Sequence, residues 1–182
     1  MAGPTSLTPN INVNTTSSQL RTELLNTFSR LDGQLSAVPF KLNAQTGPIS
    51  SSGSAETNLV TYTLDPGTLG KLTSSILIFA SGKTAANANN KTIKLIFGST
   101  TLFTSGALAL NNKDWTLQAE LIYNGGSSQI SWAQFQSSGS AAIITTTTAT
   151  EAFATSQVLK ITGTGTATSD IDIYSWKLIL LK

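Results

Sequence analysis

From residue 57 to the end, apolar and polar positions alternate in short runs punctuated by Gly, Ser and Asn. "NLVTYTL" (58–64), "SSILIFASG" (74–82), "KTIKLIFG" (91–98) and "STTLFTSG" (99–106) each fit a strand, and the Gly98-Ser99 pair reads as the turn of a hairpin. "DWTLQAELIY" places Trp115, Leu117, Ala119 and Leu121 on one face. "GGSSQISWAQF" follows a Gly-Gly turn, and Ile130 and Trp132 are expected to point inward, with Ala133 a further candidate. "AAIITTTTAT" is strand-like but ambiguous, and "QVLKITG" and "DIDIYSWKLILL" complete the series. About eight or nine short strands at this spacing imply a sandwich or barrel. No amphipathic helix separates them, which excludes βαβ topology. The pattern predicts a mainly β fold, a jelly-roll-type antiparallel β-sandwich over residues 56–182, and leaves the strand order open.

The period changes near the N-terminus. In "SSQLRTELLNTFSRLDGQL", Leu24, Phe28, Leu31 and Leu35 recur at intervals of four, three and four, the spacing of a coiled-coil seam. Ser17 or Ser18 can cap this helix, and Gly33 with Pro39 can end it, giving a segment over residues 17–38. About 18 residues would make roughly 27 Å of helix, too short to be stable alone in water. The stripe therefore needs a partner, either the chain's own β-domain or copies of itself. Residues 1–16, with Pro4 and Pro9, are expected to be extended, as a disordered tail or as an arm that orders on docking. Residues 39–55, including "NAQTGPISSSGSAET", read as a Ser/Gly-rich linker.

Composition narrows the chemistry. Of 182 residues only 11% are charged, against about 25% in an ordinary soluble domain. Ser, Thr, Asn and Gly fill the difference, leaving a polar surface with little charge repulsion against self-association. The net charge is +2 and the basic residues are scattered singly, which speaks against nucleic-acid binding. The chain has no Cys and no His, which removes disulfides, thiolate and imidazole metal sites and His-based general bases. The start has neither a basic nor an apolar signal region, and the longest apolar runs are strand-sized, so no secretory signal and no membrane insertion are expected.

Few residues suggest a site. Asp170 and Asp172 lie two apart on a strand, and such a pair can do acid–base work or bind Ca²⁺. The plainer reading is that they mark the solvent face while Ile171 and Ile173 point in. Glu120 and Glu151 are the other acids available, with no sequence reason to converge on them. "SGKT" (81–84) lacks the upstream Gly and following helix of a phosphate loop. Trp115, Trp132, Trp176, Tyr62, Tyr123 and Tyr174 could stack on sugar rings if exposed, but Trp115 and Trp132 fall in phase with aliphatic neighbours and read as core. Tyr174, Trp176 and Leu178 share one face, and the opposite face is irregular, as a bulge or a strand buried on both sides would make it. No pattern asks for a cofactor or a metal, and none supplies a catalytic set.

The stretch "KTIKLIFGSTTLFTSGALALNNKDWTLQAELIY", the Trp on the strand after it and the late "LKITGTGTATSDI" resemble the C-terminal β-sandwich modules of tailed-phage virion proteins of the tail-fibre and minor structural type. The likeness covers about residues 70 to 175. It implies a non-enzymatic, trimeric protein at the virion surface, assembled in the host cytoplasm. The chain is shorter than many such proteins, so a short fibre, a spike and a capsid decoration all remain open. Combined with the seam, the resemblance makes Leu24, Phe28, Leu31 and Leu35 the expected oligomer interface and the N-terminal arm the expected contact to other virion proteins. The alternative is a lectin-like carbohydrate-binding module that attaches to host-surface glycan.

Overall fold

The computed structural model describes residues 17–36, 39–70 and 72–182, so the N-terminal arm expected over residues 1–16 lies outside the described residues. The chain divides into two compact units, Met1–Val38 and Pro39–Lys182. In the first, α1 spans Ser17–Ser36. It has no acidic residue in its first turn and no basic residue in its last, so it lacks the usual charge complement to the helix dipole. It runs through Gly33 rather than ending there, because a lone Gly costs only about 1 kcal/mol relative to Ala in a helix interior.

The second unit contains β1 (Phe40–Ser52), β2 (Thr57–Leu64), β3 (Ser75–Thr84), β4 (Asn90–Phe97), β5 (Thr100–Thr104), β6 (Leu108–Ala109), β7 (Asp114–Tyr123), β8 (Gln129–Ser137), β9 (Ile143–Ala149), β10 (Gln157–Thr164) and β11 (Thr168–Leu181). One sheet has the order β1-β11-β3-β7-β8-β9, and the other has the order β2-β10-β4-β5 with β6 beside β4. The pairs β4–β5, β3–β7, β2–β10 and β1–β11 are nested in sequence and alternate between the two sheets. An antiparallel ribbon folded over in this way is a jelly roll. The β8–β9 hairpin is an addition that widens the first sheet.

The interior follows the alternation in most strands. Trp115, Leu117, Ala119 and Leu121 are buried, as expected, in one core cluster with β4 residues such as Ile93, Leu95 and Phe97. Phe135 on β8 stacks on Phe103 of the other sheet at 5.7 Å and on Trp115 at 6.1 Å. Phe153, in the loop after β9, packs edge-on against Tyr123 at 5.2 Å and beside Phe97 at 5.9 Å, closing one end of the sandwich. At Gly82 a Cβ would stand 2.5 Å from the Trp115 ring, so the large indole fits only because this strand position has no side chain.

Residues 39–55 are not a free linker, because β1 occupies most of them. β1 is an edge strand held mainly by its ladder to β11, and most of its side chains are exposed. An exposed edge strand and a polar linker have the same composition, which is why its sequence does not announce it. β6, two residues long, has no pattern to read, and the ambiguous "AAIITTTTAT" supplies β9.

Candidate functional site

On α1, Leu24, Leu25 and Phe28 are 53%, 61% and 59% exposed. Half of the expected seam is thus visible as uncovered apolar surface. The side chains of Leu31 and Leu35 lie outside the described residues.

On the sandwich, the largest departure from expectation is at β8. Ile130 and Trp132 do not point inward. They stand on the outer face, 38% and 37% exposed, while Gln129, Ser131, Ala133, Phe135 and Ser137 are buried. The register with β7 fixes this phase, since Leu121 faces Ser131 and Glu120 faces Trp132. Gln129 tolerates burial because its amide donates to Glu151 O and accepts from Glu151 N, both at 3.0 Å. Ser131 Oγ donates to Thr147 O at 3.3 Å. On the outside, Trp132 Nε1 donates to Glu120 Oε2 at 3.2 Å, and Ser75 Oγ donates to Glu120 Oε1 at 2.7 Å. Glu120 therefore orients the indole on the sheet surface. Phe79 of β3 and the strongly exposed Ile144 of β9 share this outer face.

The acidic residues do not converge. Asp170 is fully buried, not on the solvent face. Asp172 is half-buried and accepts from Ser50 Oγ at 2.6 Å, while Ile171 and Ile173 are buried as expected. Asp170 accepts from Thr166 N at 2.7 Å, Ala167 N at 2.9 Å, Asn87 Nδ2 at 2.7 Å, Asn89 Nδ2 at 3.4 Å and Thr166 Oγ1 at 3.3 Å. Burial pushes its carboxyl up, but the donors from Thr166, Asn87, Ala167 and Asn89 outweigh that and hold it well below the usual carboxylate range. Asn87 also connects Asp170 to the fully buried Lys91, whose Nζ donates to Asn87 Oδ1 at 2.7 Å, Asn89 O at 2.9 Å and Asn87 O at 3.3 Å. This cluster ties the β3–β4 loop to the turn before β11. "ANANN" looks like a plain polar loop, and nothing local in it signals that a lysine and an aspartate are to be buried together.

Glu151 does similar work at the opposite hairpin. Its Oε1 accepts from Ser99 N, Ser99 Oγ and Thr100 Oγ1 at 2.9, 2.9 and 2.8 Å. Burial raises its pKa, and the bonds from Thr100 and Ser99 more than reverse the effect. Among the described residues no group of three or more His, Cys, Asp or Glu is placed to hold a metal ion, and no helix is long and apolar enough to cross a membrane.

The remaining aromatics divide. Trp115 and Trp176 are buried. Tyr174 does not share the face of Trp176 and Leu178, because the register of β11 with β3 shifts between Ile173 and Ser175 and turns Tyr174 outward, 42% exposed.

No family model matches the chain, and no curated protein matches it. The crystal structure of the infectious bursal disease virus VP2 subviral particle is similar at a TM-score of 0.22 and 15% identity, over 80% of this chain and 41% of that one. The chain therefore spans about two-fifths of the length of that protein. The strand order, not this likeness, defines the jelly roll.

Proposed function

We propose that the chain is a non-enzymatic structural protein of a virion, of the tailed-phage type. It is displayed at the particle surface as a trimer and anchored through its N-terminal arm. The observation that carries this reading is the exposed apolar stripe of α1: Leu24, Leu25 and Phe28 are each more than half exposed. A helix of this length is not stable on its own, and a second copy offers the same stripe in return. The low charge of the surface and the resemblance to phage virion modules support the same assignment. The absence of His and Cys from the chain, and the full use of the Asp170 carboxylate by its own hydrogen bonds, favour a scaffold over an enzyme. Short fibre, spike and capsid decoration are all versions of this role.

Light scattering tests it. The full chain is expected at the mass of three chains or a multiple of three. Phe28→Asp, which places a charge in the seam, and a chain lacking residues 1–39, which leaves β1 whole, should both fall below that mass. A mass unchanged by either would remove α1 from the interface.

A second reading, attachment to host-surface glycan, is favoured by one observation: Trp132 lies on an open sheet face rather than in the core. Glycan-array binding that disappears in Trp132→Ala would support it, and an array with no binding would count against it.

A further inference from the structure

Among the described residues, and apart from the two-residue β6 beside β4, the sandwich has four edge strands, and three of them are broken. β1 shifts register with β11 at three places and carries Lys41 and Pro48. β2 skips Leu59 in its ladder with β10, since Val60 faces Ile161 and Asn58 faces Thr162. β5 skips Leu102 in its ladder with β4, and the Leu102 carbonyl accepts from Thr147 Oγ1 of β9 at 3.0 Å, a side-chain tie between the two sheets that forms no ladder along β9. Bulges, prolines and charges of this kind keep an edge from pairing with another chain. β9 has none of them. It runs from Ile143 to Ala149 in unbroken register with Phe135 to Gln129 of β8, and its sequence, "IITTTTA", contains no charge and no proline. Among the described residues no strand pairs with its other side.

We infer that β9 is a self-association edge, which pairs antiparallel with β9 of a second copy to join two six-stranded sheets into one. Self-pairing fits this strand better than the capture of a foreign strand, for reasons of symmetry. Full overlap places Thr146 opposite Thr146 on the two-fold axis, Thr145 opposite Thr147 and Ile144 opposite Thr148. Every pair then joins residues of the same face, and a strand with no charges opposes none to itself. Three exposed apolar side chains also lie here: Ile144, 69% exposed, is on β9, and Trp132 and Ile130 are on the strand beside it. Pairing would bring the two copies of this patch together across the join. The contact is two-fold and does not involve α1. Together with a three-fold association it would link trimers to one another, as a closed hexamer or a lattice.

The chain contains no cysteine, so a single introduced one reports the contact directly. In the full-length protein under oxidising conditions, Thr146→Cys should form a disulfide-linked pair of chains. Thr46→Cys, on the guarded edge β1, should remain single. Thr146→Lys places two like charges on the axis and should lower the solution mass to that of the assembly α1 makes alone, while Phe28→Asp should leave a dimer. Equal crosslinking at the two positions, no crosslinking at Thr146→Cys, or a mass unchanged by Thr146→Lys would each overturn the inference. These readouts do not depend on whether α1 forms a trimer.

Discussion

β7 and β8 are neighbours in one sheet, paired without a break from Trp115–Ser137 to Tyr123–Gln129, yet they use their two faces differently. β7 buries Trp115, Leu117, Ala119 and Leu121 and exposes Asp114, Thr116 and Gln118. β8 in its first half does the reverse, burying Gln129 and Ser131 and presenting Ile130 and Trp132 to solvent. The difference shows what sets the phase of a strand. β7 lies well inside the sheet, where apolar burial alone decides. β8 lies one strand from the edge, where polar groups can be buried if the backbone of neighbouring segments satisfies them. Gln129 is held by both backbone groups of Glu151, and that is enough to keep an apolar patch outside. A surface patch maintained in this way is better suited to a contact than to the core.

The contrast can be broken from its strongest side first. Trp115→Ala empties a fully buried site against Phe135 and should lower stability by about 4 kcal/mol in urea unfolding. Asp170→Ala tests the rule that polar groups are buried only where they are bonded. It leaves the donors of Thr166, Ala167, Asn87 and Asn89 without their acceptor and should cost about 3 kcal/mol. Gln129→Ala removes the two bonds that hold the polar half of β8 inward and should cost about 2 kcal/mol. Trp132→Ala, on the outer face of the same strand, should cost no more than about 1 kcal/mol while weakening any association through that face. A Trp132 effect as large as that of Trp115 would mean the patch is core after all.

Acid provides another test of the buried carboxylates. Asp170 and Glu151 both titrate below their ordinary values in the folded chain. The unfolded chain therefore takes up protons first. The stability these groups contribute is complete above the unfolded carboxylate range of about 4 and is lost as pH falls through their lower folded values. Thermal midpoints should drop as pH is lowered below about 4. The drop should be shallower in Asp170→Asn, which has no carboxylate to protonate at that position.

The sites differ in how far they can be read from residues alone. The helical stripe of Leu24 and Phe28 is visible as a period, since its meaning lies within a few turns of one element. The Asp170 cluster is invisible, because Asn87, Asn89 and Lys91 meet it from about 80 residues away. The side of Trp132 is not legible because its strand offers two apolar series, and local alternation cannot choose between Ile130 with Trp132 and Ala133 with Phe135.

By itself, the sequence determined that the chain is mainly β, where most strands and the helix lie, and that His and Cys chemistry is absent. Those properties depend on local period and on residue type. The tertiary structure alone decided that residues 40–52 form a strand, that β8 turns its tryptophan outward, that Asp170 is buried and that β9 is an edge in unbroken register with its neighbour. The physical reason is common to all four. Alternation fixes the period of a strand but not its phase or its partner, and those come from ladders formed with segments distant in the chain, such as β11 for β1 and β7 for β8.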